Sequence, residues 1–206
     1  MENAHPQTGI LLLAAGASTR MGQAKQLLRI AGESLIQRAV KTALGTTFRP
    51  VVVVLGANRE QIEPELLGSA VLKVFNPNWP SGMGSSIAIG LDFLLQQQPS
   101  TQQVLILVGD QPLLQVDTLT ALVKLQSQTQ APLVVSRYTN TLGVPALFTH
   151  ALFAELAALH GAQGAKALIQ KYRDQAAVLD FPEGALDLDT PEEWAAFLTK
   201  INPQEE

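Results

Sequence analysis

Several stretches of this chain place polar, chemistry-bearing side chains just beyond apolar runs. The first is Leu11 to Lys25, LLLAAGASTRMGQAK. An apolar run enters a loop of small residues, and the cations Arg20 and Lys25 follow. Arg20 offers a planar fork suited to phosphate oxygens, and Lys25 a compact point charge. Ala14, Ala15 and Gly16 have little or no side chain, so a flat ring can approach their backbone closely. The arrangement can hold a nucleoside triphosphate, with base and sugar over the small residues and phosphates against the cations. Charge leaving with pyrophosphate would be stabilised there. The competing reading is a tight turn with both cations in solvent.

The second stretch, VLILVGDQP, sets Asp110 after another apolar run. Burying a carboxylate unpaired is costly, so it is hydrated or bound to a metal. Oxygen ligands suit magnesium, which also contacts substrate phosphates. A helix cap is the alternative for a lone aspartate. The third, ALDLDTPEEW, separates Asp187 and Asp189 by one residue. In an extended segment the two point the same way and can converge on one cation. The same segment reads as a helix start, with Thr190 as cap, Pro191 in the first position and Glu193 closing a capping box. The two readings are compatible. The fourth, NPNWPSGMGSSIAIG, is rich in turn formers. Gly82 and Gly84 permit close ligand approach, and Ser85 and Ser86 lie at a helix start with hydroxyls and free N–H groups. Trp79 and Met83 fit a pocket wall or a packed core equally well.

The elements that position these residues alternate. Strands are expected at Ile10–Leu13, Val51–Leu55, Val71–Phe75, Val104–Val108 and Leu133–Ser136. A later strand, Val144–Phe148, is interrupted by Pro145, and Ala177–Leu179 forms an edge. Leu27 and Leu28 form a short extended piece. Ser34 caps a helix carrying Leu35, Ile36, Ala39, Val40 and Ala43 on one face. Further helices are expected at Gln61–Leu67, Ser85–Gln97, Val116–Gln128, His150–Leu159 and Gly164–Lys171, with a last one from Pro191. This is the βαβ pattern of an α/β fold with a mostly parallel sheet covered on both faces. Ligands in such sheets bind beyond the carboxyl ends of the strands, where the first two motifs lie.

The 206 residues fit one domain, without internal repeat or linker, large enough to bury a core unaided. Hydrophobic residues make up 47% and charged residues 16%, a globular composition. The net charge of −4 supplies no basic footprint, so no nucleic-acid partner is expected. No apolar run is long enough for a bilayer, so no membrane partner is expected either. The amino-terminal residues lack a charged signal start, and a cytoplasmic location is the expectation. The absence of cysteine excludes disulfides, zinc thiolates, iron–sulfur ligation and cysteine nucleophiles. The histidines His5, His150 and His160 are too dispersed to form a metal set. The first loop is neither a P-loop nor a dinucleotide fingerprint, since GxxxxGK[ST] and GxGxxG are both missing.

LAAGASTRMGQAK resembles the signature of the MobA-like nucleotidyltransferases, especially the molybdenum cofactor cytidylyltransferase branch. The resemblance runs from Ile10 to the final helix. It implies a Rossmann-like α/β fold, with a single domain over 1–206 split into a nucleotide-binding first half and an acceptor-binding second half. Members transfer a nucleoside monophosphate from a nucleoside triphosphate to a phosphorylated acceptor. The guanylyl branch has Leu-Ala-Gly-Gly and an aspartate before the lysine. Here Leu13-Ala14-Ala15-Gly16 and Ala24 stand there instead, which implies CTP as donor. By the same resemblance Leu13, Ala14, Ala15, Gly16, Arg20 and Lys25 bind the nucleotide. Gly82, Ser85 and Ser86 lie beside base and ribose. Asp110 holds Mg2+ with Asp187 or Asp189. Arg20, Lys25 and Asp110 form the catalytic set.

SRYTNTLGVPALF resembles the acceptor-side segment, where the family commonly reads Gly-His-Pro. Gly143 and Pro145 match, and Val144 replaces the histidine. The implied reaction joins CMP to the terminal phosphate of molybdenum-loaded molybdopterin, giving a cytosine dinucleotide cofactor and pyrophosphate. An apo-molybdoenzyme or its maturation chaperone would be the recipient. Val144 motivates an alternative: the same transfer onto a sugar or alcohol phosphate. A different class of answer is a molybdenum cofactor insertion factor that binds without turnover.

Overall fold

The computed structural model describes residues 7–162, 164–186 and 188–201. In chain order the elements are β1 (Thr8–Ala14), the small hairpin β2 (Arg29–Ile30) and β3 (Glu33–Ser34), α1 (Leu35–Gly45), β4 (Val51–Leu55), α2 (Arg59–Ile62), β5 (Leu72–Phe75) and α3 (Met83–Gln97). There follow β6 (Gln103–Val108), α4 (Val116–Thr129), β7 (Leu133–Tyr138), β8 (Thr141–Thr149), α5 (Phe153–Ala157), α6 (Ala165–Lys171), β9 (Ala176–Asp180) and α7 (Pro191–Ile201).

The main sheet has seven strands in the order β5-β4-β1-β6-β8-β7-β9. Only β8 runs against the rest, pairing antiparallel with both β6 and β7. The chain works outward from β1 through β4 to β5, then crosses back to place β6 on the other side of β1. The order therefore reverses between β1 and β6. A crevice opens at such a switch point because the loops after the two strands diverge to opposite faces.

β1 is buried throughout, as a central strand covered on both faces must be. Its side chains alternate. Ile10, Leu12 and Ala14 join Ile36, Ala39 and Val40 of α1 and Leu119 and Leu122 of α4. Leu11 and Leu13 join Ile87, Leu91 and Leu94 of α3, Leu156 of α5 and Leu168 of α6. A third, smaller cluster unites Met21, Leu28 and Leu35 with Leu188 and Phe197. It seats the last helix on the loop that follows β1.

Several elements differ from the sequence expectation, each for a local reason. Lys25–Leu27 is a 3-10 turn, and extended backbone begins only at Arg29. α2 ends at Ile62 and tightens into a 3-10 turn over Glu63–Leu66, where Pro64 has no N–H to continue an α-helix. α3 starts at Met83, two residues before Ser85, because Gly82 serves as its cap residue. The stretch after His150 is a 3-10 turn with only Phe153–Ala157 α-helical. β8 continues past Pro145, as extended backbone, but its pairing skips Val144 and Pro145, the interruption that the sequence suggests. The ladder shifts register between Val135 and Ser136, and the Ser136 hydroxyl donates to the Pro145 carbonyl at 2.6 Å. A bulge of this kind accommodates the missing proline donor.

α1 carries the expected cap. The Gln37 N–H donates to Ser34 Oγ at 3.4 Å, and the Ser34 N–H donates to Gln37 Oε1 at 3.0 Å. Ser34 is fully buried, and its hydroxyl also donates to Glu65 at 2.8 Å. Ser34→Ala is expected to cost about 1–2 kcal/mol, a fall in Tm of roughly 2–8 °C, read by calorimetry and urea unfolding.

Candidate active site

Parallel pairing sets Leu13 of β1 opposite Val108 of β6, and the Gly109 N–H donates to the Leu13 carbonyl at 3.0 Å. That register brings the Ala15–Gly16 loop beside Asp110. The two expected motifs meet as a consequence of strand order, although about a hundred residues separate them in sequence.

Two adjoining cavities occupy the crevice. One, of about 390 Å³, is lined by Leu13, Ala15, Gly16, Ala17, Trp79, Pro80, Gly82, Met83, Ser86, Val108, Ala162, Gln26 and Asp110. Its walls are mostly apolar, and Trp79 and Met83 form part of them. The other, of about 260 Å³, is lined by Ser18, Thr19, Arg20, Lys25, Asp189, Gly16, Gln26 and Asp110. Gly16, Gln26 and Asp110 belong to both. Ala14 is fully buried on the α1 face and reaches neither.

The charged cavity has a specific internal pairing. Asp189 takes both Arg20 and Lys25 as ion-pair partners, one on each carboxylate oxygen. The Lys25 and Asp189 side chains are 13% and 15% exposed, whereas Arg20 is 73% exposed. The Lys25–Asp189 contact is thus shielded, and Arg20 holds its end in solvent, where screening weakens it. The Ser18 hydroxyl accepts the Lys25 N–H at 3.2 Å, drawing the loop into a closed turn. Ser18 has φ +53°, a left-handed conformation for a residue with a side chain.

Asp189 is positioned by the expected cap of α7. Its N–H and that of Thr190 donate to Glu193 at 2.8 and 2.9 Å, and the Glu193 N–H returns to Thr190 Oγ1 at 3.3 Å. Cap and ion pair coexist, as the sequence allows. Asp187 lies outside the described residues.

The turn-rich loop is fixed by Asn76, which is buried. Its amide donates to both Ser85 Oγ and Ser86 Oγ at 2.9 Å, and its carbonyl accepts the Asn78 N–H at 2.9 Å. The Ser85 hydroxyl donates on to the Asn78 and Gly82 carbonyls. Ser86 lines the apolar-walled cavity, while Ser85 lines neither and acts within this network. Gly82 has φ +113°, and a Cβ there would come within 2.4 Å of the Gly161 backbone. Glycine is required for both reasons. The contact locks this loop against the segment that precedes α6.

On the second side, Gly143 lies directly under the Tyr138 hydroxyl, where a Cβ would have no room. The Tyr138 phenol titrates above its ordinary range, chiefly because it is buried and secondly because of the Asp110 charge. Gln111, next to Asp110, donates to the Val144 carbonyl at 3.0 Å. The Val144 side chain packs on the α3 core face. Gly143 and Pro145 thus belong to a strand tied to the Asp110 loop. Lys166 is exposed on α6, as a solvated helix lysine would be. Tyr138 and Gln26 were not singled out from sequence. Neither sits in a recognisable motif, and each enters the site through a long-range contact.

The switch-point crevice joins an apolar-walled cavity to one lined by two cations and two carboxylates, on an α/β fold that matches a solved nucleotidyl transferase from Methanothermobacter with a TM-score of 0.77. The chain belongs to the MobA-like NTP transferase family: residues 10–176 match that domain. It is 33% identical over 196 residues to the purine catabolism protein PucB of Bacillus subtilis, covering 89% of this chain and 92% of that protein. It is 33% identical over 152 residues to the bifunctional protein GlmU of Corynebacterium diphtheriae, covering 70% of this chain but only 30% of that protein. Among solved structures, Rv0371c from Mycobacterium tuberculosis superposes with a TM-score of 0.78 at 26% identity, covering 95% of this chain and 98% of that one. A complex of Rv0371c with manganese gives a TM-score of 0.72 at 26% identity, over 93% and 98%.

A divalent cation fits the donor set. Asp110 and Asp189 line the same cavity. No group of three or more acidic or histidine ligands forms among the described residues. Magnesium suits such a site because it binds through one or two carboxylates and completes its shell with water and substrate phosphates. No helix among the described residues is long and apolar enough to cross a membrane.

The Tyr138 environment gives a direct test of this geometry. In a Tyr172→Phe background Tyr138 is the sole tyrosine. Its midpoint, read from phenolate absorbance, is expected above the usual value of about 10. Asp110→Asn should lower it part of the way, since burial is the larger cause. The fold holds this proton more tightly than the unfolded chain does. Its contribution to unfolding free energy is therefore level below a pH of about 10 and falls as pH climbs through the raised value.

Proposed function

We propose that this protein is a nucleotidyltransferase that moves a nucleoside monophosphate from a nucleoside triphosphate to a phosphorylated acceptor. The observation that carries the reading is the pair of adjoining cavities, one walled by Leu13, Ala15, Trp79 and Met83, the other lined by Arg20, Lys25, Asp110 and Asp189. The first suits a base and sugar, the second a metal-bound triphosphate.

Lys25 and Arg20 would take the β- and γ-phosphates, and Asp110 with Asp189 would hold Mg2+. The cation would screen the α-phosphate for in-line attack. An oxygen of the acceptor phosphate forms a new P–O bond to the α-phosphorus, the α–β P–O bond breaks, and pyrophosphate leaves. The phosphorylated nucleophile is already anionic, so no base is required. Positioning and charge stabilisation do the work. Asp189 would exchange partners in this scheme, releasing Lys25 and Arg20 to the phosphates as it turns to the cation.

The acceptor is assigned as a sugar or alcohol phosphate. Val144 supports that breadth, because its side chain is an apolar packing group without a donor. A narrower reading keeps CTP as donor and molybdenum-loaded molybdopterin as acceptor, with an apo-molybdoenzyme or its chaperone downstream. Its support is the Leu13-Ala14-Ala15-Gly16 loop with Ala24 before Lys25. In either reading the first half of the chain, with Ser86 and Gly82, serves the nucleotide, and the second half, with Gly143 and Pro145, faces the acceptor. A binding-only insertion factor would have no need of the full set of Lys25, Arg20, Asp110 and Asp189 in one crevice.

Pyrophosphate release in magnesium, with CTP, GTP, ATP and UTP against sugar phosphates, alcohol phosphates and molybdenum-loaded molybdopterin, tests the assignment. Turnover with one pair, reduced roughly 10²-fold or more in Asp110→Ala, is the expected outcome. Folded protein that releases none from any pair overturns it. The partner exchange has its own readout. In EDTA, Asp189→Asn should bind inorganic pyrophosphate on the order of fivefold more tightly, because the carboxylate no longer competes for Lys25 at ~1 kcal/mol. The same variant should lose turnover in magnesium.

A further inference from the structure

Gln26 is the residue this site leaves unexplained. It is only 6% exposed, inside the 3-10 turn that begins with Lys25. Its Oε1 is one of three buried side-chain polar atoms without a hydrogen-bond partner among the described residues. A buried acceptor left unpaired costs about 1–3 kcal/mol, so native proteins rarely keep one without a use. Gln26 also lines both cavities, together with Gly16 and Asp110. A Cβ on Gly109 would sit 3.5 Å from Gln26 Cγ, so the side chain is packed against the loop that carries Asp110.

These facts set Gln26, with its unmet acceptor, at the boundary between an apolar-walled compartment and one lined by two cations and two carboxylates. In a nucleotide the group between base and phosphates is the ribose, and its free hydroxyls are the donors it offers. We propose that Gln26 Oε1 accepts a hydrogen bond from a ribose hydroxyl of the donor nucleotide and makes the site selective for ribonucleotides. This rests on the nucleotidyltransferase reading. It adds a specificity-determining residue to it. Lys25 and Gln26 then divide the labour of one turn, phosphate to the first and sugar to the second. No protein group among the described residues pairs with this oxygen, so the partner it lacks is one that a bound ligand would supply.

The test is equilibrium binding in magnesium. ATP, CTP, GTP and UTP are first compared on the wild type, and the tightest is then compared with its 2′-deoxy and 3′-deoxy forms. The wild type should bind one deoxy form roughly tenfold more weakly. Gln26→Met, which matches the volume and removes the acceptor, should bind the ribonucleotide at the deoxy level, with the gap reduced to under about twofold. Gln26→Leu should repeat the result. Without ligand, either variant should match or exceed the wild-type Tm, by about 2–4 °C per kcal/mol of relieved burial cost. That shift also shows that the variant folds.

A tenfold gap that persists in both variants overturns the inference. So does a wild type that does not distinguish ribo from deoxy. A changed ranking among the four bases would assign Gln26 to the base edge instead, and an equal loss for both sugars with an altered magnesium requirement would assign it to the metal's water shell. Either outcome refutes the ribose contact while leaving the nucleotidyltransferase reading intact. Failure of the wild type to bind any of the four triphosphates removes that reading and this inference together.

Discussion

The parallel pairing of β1 with β6 is the constraint on which the rest of the molecule depends. It closes the sheet at the point where the strand order reverses, and Gly109 donates to Leu13 to extend the ladder past the last paired residues. Both strands are buried on each face, so slipping the register by one would turn Leu11 and Leu13 into the wrong core. The two loops that emerge are therefore held beside each other by the most strongly specified contact in the fold. The site residues sit on loops, but the loops begin at fixed points of a rigid sheet.

The second constraint is electrostatic and reaches across the whole chain. Asp189 meets Lys25 over 164 positions of sequence, behind a cap that ties its own backbone to Glu193. The third cluster holds the same two segments together through Met21, Leu28, Leu188 and Phe197. The ion pair alone, half of it solvent-exposed, would contribute little. Apolar packing supplies the docking energy, and the charges set the alignment. This division would let the pair exchange partners, as the proposed reaction asks of it, without releasing the helix.

Much of this was legible in the sequence because periodicity and motif pointed the same way. β1, β4 and β6 read as short apolar runs, the cap of α1 as Ser34, and the start of α7 as Thr-Pro-Glu-Glu. That Arg20, Lys25 and Asp110 stand at loops beyond strand ends was legible in the same way, whereas the place of Asp189 beside them came from the family resemblance. What sequence did not carry were the contacts made across elements. The Asn76 bridge to Ser85 and Ser86, the seat of Gly143 under Tyr138 and the burial of Gln26 each need a neighbour that no local pattern names. Pro145 belongs with them in part. A proline lowers strand propensity locally, but β8 absorbs it in a bulge of its own, closed by the Ser136 hydroxyl of β7.

The acceptor side illustrates how one substitution can be neutral for the fold and decisive for chemistry. Val144 donates nothing from its side chain, yet its carbonyl accepts from Gln111 and thereby fastens β8 to the Asp110 loop. That contact is made by the backbone, so any side chain would preserve it. The Val144 side chain itself packs on the α3 core face, so apolar contact and the backbone bond together hold the strand where the site requires it. The fixed features here are instead Gly143 of β8, which leaves room for the Tyr138 hydroxyl, and Tyr138 at the end of β7, whose proton is held by burial and by the Asp110 charge. A protonated phenol near a carboxylate is a hydrogen-bond donor. Tyr138 of β7 would thus offer the proposed acceptor a neutral donor beside a strand on which Val144 offers none.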